Sequence, residues 1–148
     1  MTDIIAWAFS GLFIILTVSL HYEMMLMVSD RLVPWAQKHL HGRRVVAISV
    51  LALILAHIFA IWLFALGYMV ALHFPIFGSM TGDFDGSFNS LLYVSSSQYT
   101  SLGASDIQIL GALRALASAE TLTGLVMITW SASFTYLKME QIWQHHRK

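Results

Sequence analysis

The residues in this sequence with chemistry to offer are few, and they sit in apolar surroundings. Glu120 stands in a stretch, Ile107 to Leu137, whose only other charge is Arg114. An ionisable group in such a setting marks a functional site by default. As a buried carboxyl it can stay protonated and hydrogen-bond a supporting element, or ionise and attract cations. His21, Glu23 and His57 form a second set. Imidazole and carboxylate are metal ligands and histidine titrates near neutrality, so the three could form a metal site or a proton sensor. However, His21 and Glu23 are two apart and do not share a helix face. An interhelical hydrogen bond is the stronger reading. A third set, Asp83, Asp85, Ser87 and Asn89, alternates like a calcium loop. Gly86 is at the wrong position for one and Val94 stands where the bidentate acid belongs, so that reading fails. These acids instead raise the local concentration of cations. No nucleophile–base pair or phosphate-cradling loop occurs, so the chain is not expected to be an enzyme.

The elements that must position these residues follow from composition. The 148 residues are 57% hydrophobic and 11% charged, against roughly 45–50% and about 25% in soluble domains. That is too little polarity to cover a globular surface. Eight basic and eight acidic residues give no net charge, which argues against nucleic acid as a partner. With no cysteine there is no disulfide or thiol chemistry. The lipid bilayer is the partner that remains.

Three apolar stretches are long enough to cross a ~30 Å hydrocarbon layer: Ile4–Val28, Val45–Leu72 and Ile107–Leu137. The first is too long, and lacks the basic start, for a cleavable signal peptide. Arg31, Lys38, Arg43 and Arg44 crowd the loop between the first two stretches, and Lys138, Arg147 and Lys148 follow the third. Residues 1–30 and 45–113 carry no Lys or Arg. The positive-inside rule therefore places the N-terminus outside and the C-terminus in the cytoplasm. Trp35, Trp62, Trp130 and Trp143 are expected as packing or interfacial anchors. Counted inward from the cytoplasmic side, His21 and His57 differ in depth by only ~6 Å, which allows contact.

The connection His73–Asp106 is then external. A turn-rich opening leads to the run Ser87–Thr100, which is too short to span, with Asp85 or Ser87 as its N-cap. The segment Thr100-Ser101-Leu102-Gly103-Ala104-Ser105-Asp106 follows. A short helix that dips into the membrane and returns as irregular backbone is tolerated where protein buries it or where it lines a wet cavity.

Span, half-helix, extended return and span resemble the pore module of potassium channels. That family's filter reads Thr-Thr-Val-Gly-Tyr-Gly-Asp, and here Thr100–Asp106 occupies its place. Arg114 follows Asp106 as a basic residue often follows the filter acid. Gly124 falls where the family places its inner-helix hinge. The chain is similar to small bacterial potassium-channel-like proteins over roughly residues 45–140. Residues 1–44 form an extra helix and a basic cytoplasmic loop.

The resemblance implies an all-α integral membrane domain of three transmembrane helices with a re-entrant pore helix and filter loop between the second and third. It also implies a homotetramer around a central pore in the bacterial inner (plasma) membrane, with potassium and sodium as permeant ions and no cofactor. In such a filter consecutive carbonyls replace the ion's water shell. The backbone alternates in hand to aim them, and glycine supplies the left-handed positions. Gly103 keeps one, whereas Ser105 stands where the second glycine belongs, at about 1–2 kcal/mol. Ala104 replaces the aromatic that props the filter. Weak selectivity is expected, with the outer end rearranged. The alternatives are a structural or regulatory protein that does not conduct or that co-assembles with a related channel subunit, and an intramembrane metal or redox protein on His21, Glu23 and His57. With Gly124 facing inward, Leu125, Ile128, Ala132 and Tyr136 are expected along the path below the filter. Glu120 is expected one turn above Gly124, near Ser95, Ser96 or Ser97 at the back of the pore helix. Asp106 and Arg114 are candidates to pair.

Overall fold

The computed structural model describes residues 2–40 and 42–145, the side chains of 142–145 excepted. The roles expected of Trp143, Arg147 and Lys148 lie outside it. The chain is mostly helical. Helix α1 (Thr2–Met27) continues through a wide π turn (Val28–Leu32) into α2 (Val33–His39). The turn has a local cause. Pro34 has no N–H and its ring crowds the carbonyl four residues back, so the preceding turn opens and Val33 bonds the carbonyl of Val28 instead. The loop expected between the first two spans is therefore mostly helix. Helix α2 ends at His39, where Leu40 is extended, and α3 spans Gly42–Leu72.

Among the described residues two helices are long and apolar enough to cross a membrane: the 38-residue run Thr2–His39 and the 31-residue α3. Beyond α3, a 3-10 turn (Pro75–Phe77) leads into strand β1 (Met80–Gly82), helix α4 (Phe88–Tyr99), strand β2 (Ile107–Ile109) and helix α5 (Leu113–His145). Strand β2 corrects the expected start of the third span. Ile107–Ile109 pairs antiparallel with β1, Met80 opposite Ile109, and the helix starts only at Leu113. Between them Gly111 turns the chain at φ 73°, a conformation that ends a strand and that only glycine adopts cheaply.

Helix α4 is capped as its sequence suggests. The Ser87 hydroxyl accepts from the Ser90 amide at 3.2 Å. Asp85 Oδ1 accepts from the Ser87 amide at 2.9 Å and from the Ser90 hydroxyl at 2.5 Å. The Ser90 hydroxyl first, and then the Ser87 amide, hold the exposed Asp85 carboxyl at about 2, below its ordinary 3.8. Leu91, Val94, Ser95 and Tyr99 then recur at helical spacing on the buried face of α4. With Phe64, Tyr68, Leu113 and Leu116 they bury α4 between α3 and α5. Helix α1 packs against both long helices of its own chain, with Phe13 against Phe64.

Candidate functional site: a buried carboxyl behind a capped turn

Glu120 has no exposed surface and ties three helices together. The Tyr68 hydroxyl on α3 donates to its Oε2 at 2.7 Å, and Ser95 Oγ on α4 lies 2.5 Å from its Oε1. Ser95 Oγ also lies 2.8 Å from the carbonyl of Ile61 on α3. One serine hydrogen serves two acceptors only as a weaker, shared bond. The count closes when a proton on Oε1 is donated to Ser95 and Ser95 donates to Ile61. Glu120 is then a neutral strut on the back of α4, at the place expected next to Ser95. Tyr68 escaped the sequence reading. Its one signal was a phenol in an apolar run, since a buried tyrosine hydroxyl seeks a partner.

One turn further along α5, Gly124 meets the end of α4. A Cβ on Gly124 would overlap the Tyr99 carbonyl oxygen and stand 2.8 Å from the Tyr99 carbonyl carbon. Helix α5 runs unbroken through Gly124. The position expected as a hinge is thus a point of close approach, where the missing side chain lets α4 seat on α5.

Past Tyr99 the chain makes a complete Schellman turn. Ser101, at φ 64°, is the left-handed residue; its amide bonds the Gln98 carbonyl at 2.9 Å, and the Leu102 amide bonds that of Ser97 at 2.9 Å. The Gly103 amide joins Ser97 at 3.0 Å and the Thr100 amide bonds Ser96 at 3.1 Å. Four successive amides therefore turn back onto α4. Among the described residues no donor reaches the carbonyls of residues 100–105. The segment is surface-exposed apart from half-buried Ala104, and Leu102 is 84% exposed. Left-handed backbone occurs at Ser101 and Gly103 but not at Ser105. The strain expected at Ser105 thus falls on Ser101, where the helix cap demands it.

Asp106 and Arg114 do not pair. Asp106 Oδ1 accepts from the Tyr93 hydroxyl at 2.9 Å, and Arg114 Nε donates to the Ile109 carbonyl at 3.1 Å. On α5, Leu125, Ile128, Ala132 and Tyr136 form one exposed stripe. Above it lies a groove of about 750 Å³ bordered by Gln98, Ala104, Arg114, Thr121 and Leu125.

The histidines do meet. The rings of His21 and His57 lie 4.8 Å apart. Each also binds a hydroxyl on another helix: His21 Nε2 lies 2.8 Å from Ser131 Oγ on α5, and His57 Nδ1 lies 2.9 Å from the Tyr99 hydroxyl on α4. Glu23 is exposed and faces a different cleft, with Asp30 and Arg31. Among the described residues no three of His, Cys, Asp and Glu converge on a metal-sized site. The histidines act as interhelical hydrogen-bonding groups, through partners (Ser131 and Tyr99) that spacing alone did not reveal. No protein-family model, curated protein or solved structure matches this chain, so its reading rests on the geometry above.

Proposed function

We propose that this chain is the subunit of a homotetrameric pore-loop cation channel of the potassium-channel type, weakly selective between potassium and sodium. The observation that carries the reading is the turn after α4. The amides of residues 100–103 bond back onto the helix, and among the described residues the carbonyls of 100–105, in a largely exposed segment, receive no donor. Four copies around one axis would bring those carbonyls together as cation ligands, and closed cyclic symmetry is the norm for homo-oligomers. Helix α4, with 12 residues, is ~18 Å long, enough to reach about halfway through a bilayer. In this reading α5 is a third membrane helix, and its exposed stripe of Leu125, Ile128, Ala132 and Tyr136 lines the path below. The N-terminus lies outside and the basic connection between α2 and α3 in the cytoplasm, in a bacterial inner membrane.

One observation favours a second reading, a non-conducting channel-shaped protein that co-assembles with a related subunit. Alternation of backbone hand stops at Gly103, and Ala104 offers no aromatic prop. Flux measurements separate the two. Purified protein in liposomes should pass potassium and sodium at comparable rates, and Ala104→Tyr with Ser105→Gly should raise the preference for potassium. Absence of flux across pH and voltage would favour the second reading.

A further inference from the structure

Five basic side chains gather at one corner of the molecule. Arg31 lies on the π turn, Lys38 in the last turn of α2, and Arg43 and Arg44 in the first turn of α3, all exposed. Lys138, far along the chain, comes to the same place through packing. Its ammonium group sits 5.6 Å from the centre of the Phe134 ring. Phe134 in turn packs on Val28, Val33, Ala36 and Val45, the apolar cluster that closes the corner. The acids at this end are Glu23 and Asp30, which share a cleft with Arg31, and Glu140, two residues past Lys138; from Arg31 to Gly82 there is none.

Two further observations fix the character of the corner. Trp35 is 53% exposed and stacks on His39 at 5.1 Å between ring centres, an amphipathic pair suited to headgroup depth. The two helices joined here are those apolar enough to cross a membrane, and Met27 and Leu51 lie exposed on their flanks. Helix α3 also opens here, so its first amides add positive potential beside Arg43 and Arg44.

We infer that this corner binds the headgroup of an anionic phospholipid. Arg43 and Arg44, neighbours in the first turn of α3, take the phosphate, for which planar guanidinium forks are suited. Lys38, Arg31 and Lys138 supply the surrounding charge. Trp35 and the apolar helix flanks accept the glycerol and acyl portions, which a free phosphate lacks. Occupancy of this corner does not depend on whether the protein conducts, so the two proposals fail separately.

The test uses full-length protein in detergent, mixed with phosphatidylglycerol or phosphatidylcholine, with retained lipid read by native mass spectrometry. Phosphatidylglycerol should be retained in preference. Arg43→Gln with Arg44→Gln should weaken retention by roughly fivefold per charge removed. Arg43→Lys with Arg44→Lys should retain more than the glutamine pair but less than the parent, since the charge stays and the planar fork is lost, and Arg114→Gln should leave it unchanged. Inorganic phosphate at the same concentration should not displace the lipid. Equal retention of phosphatidylcholine, undiminished retention in the double glutamine variant, or displacement by inorganic phosphate would each overturn the inference. Should that variant fail to fold, wild-type retention decides, because it must fall as salt is raised; indifference to salt would also overturn it.

Discussion

The carbonyl of Tyr99 rests on the Cα of Gly124, so close that no side chain fits between them. This contact fixes where α4 ends against α5, and hence where the turn of residues 100–103 begins. Gly124→Ala should push the two helices apart and destabilise the fold by about 1–3 kcal/mol, the usual range for overpacking. Gly11→Ala is the matched control, since nothing lies within 4 Å of a Cβ there. It should leave stability unchanged or slightly raised. Thermal unfolding of the two variants side by side checks this.

Glu120 should tolerate loss of charge better than loss of shape. Glu120→Gln keeps a group that donates to Ser95 and accepts from Tyr68, so its stability should stay within about 1 kcal/mol of the parent. Glu120→Ala leaves two buried hydroxyls without their partner and should cost about 2–3 kcal/mol. Infrared difference spectra should show a protonated carboxyl band in the parent that is missing in Glu120→Gln. An ionised carboxylate signal in its place would contradict the proton count.

Ser101 carries the strain of the turn at φ 64°. Ser101→Gly removes that penalty and should stabilise the fold by about 1 kcal/mol, the size of the left-handed cost for a residue with a Cβ. A rise in Tm without change in secondary structure is the expected result.

Asp85 gives the start of α4 a pH dependence. Its carboxyl is held at about 2, against an ordinary 3.8, so its ionised form binds the cap better when folded. That stabilisation is fully present above the ordinary value and fades as pH falls through about 2. Protection factors of the Ser87 and Ser90 amides, corrected for the intrinsic exchange rate at each pH, should therefore hold steady from neutrality to about pH 4 and fall below it. Asp85→Asn should flatten the profile.

Much of this fold was legible in residue spacing. The apolar runs marked the two long helices, Ser87 and Asp85 marked the start of α4, and the position of Glu120 relative to Gly124 placed it behind that helix. What stayed hidden depended on contacts across the chain. The π turn before Pro34 replaced an expected loop because a proline can be absorbed by widening a helix as well as by ending it. Strand β2 was concealed because Ile107 and Ile109 read equally well as the head of an apolar helix; only pairing with Met80–Gly82 decides. Tyr68, Tyr99 and Ser131 took their roles from distant partners. The hinge expected at Gly124 became a close approach because a small residue serves either purpose, and only its neighbour tells which.

A density map of the purified particle tests the central claim most directly. The account predicts four chains around one axis, with the carbonyls of residues 100–105 facing it and cation density between them. A monomer or dimer, or a particle in which that turn faces lipid, would contradict it.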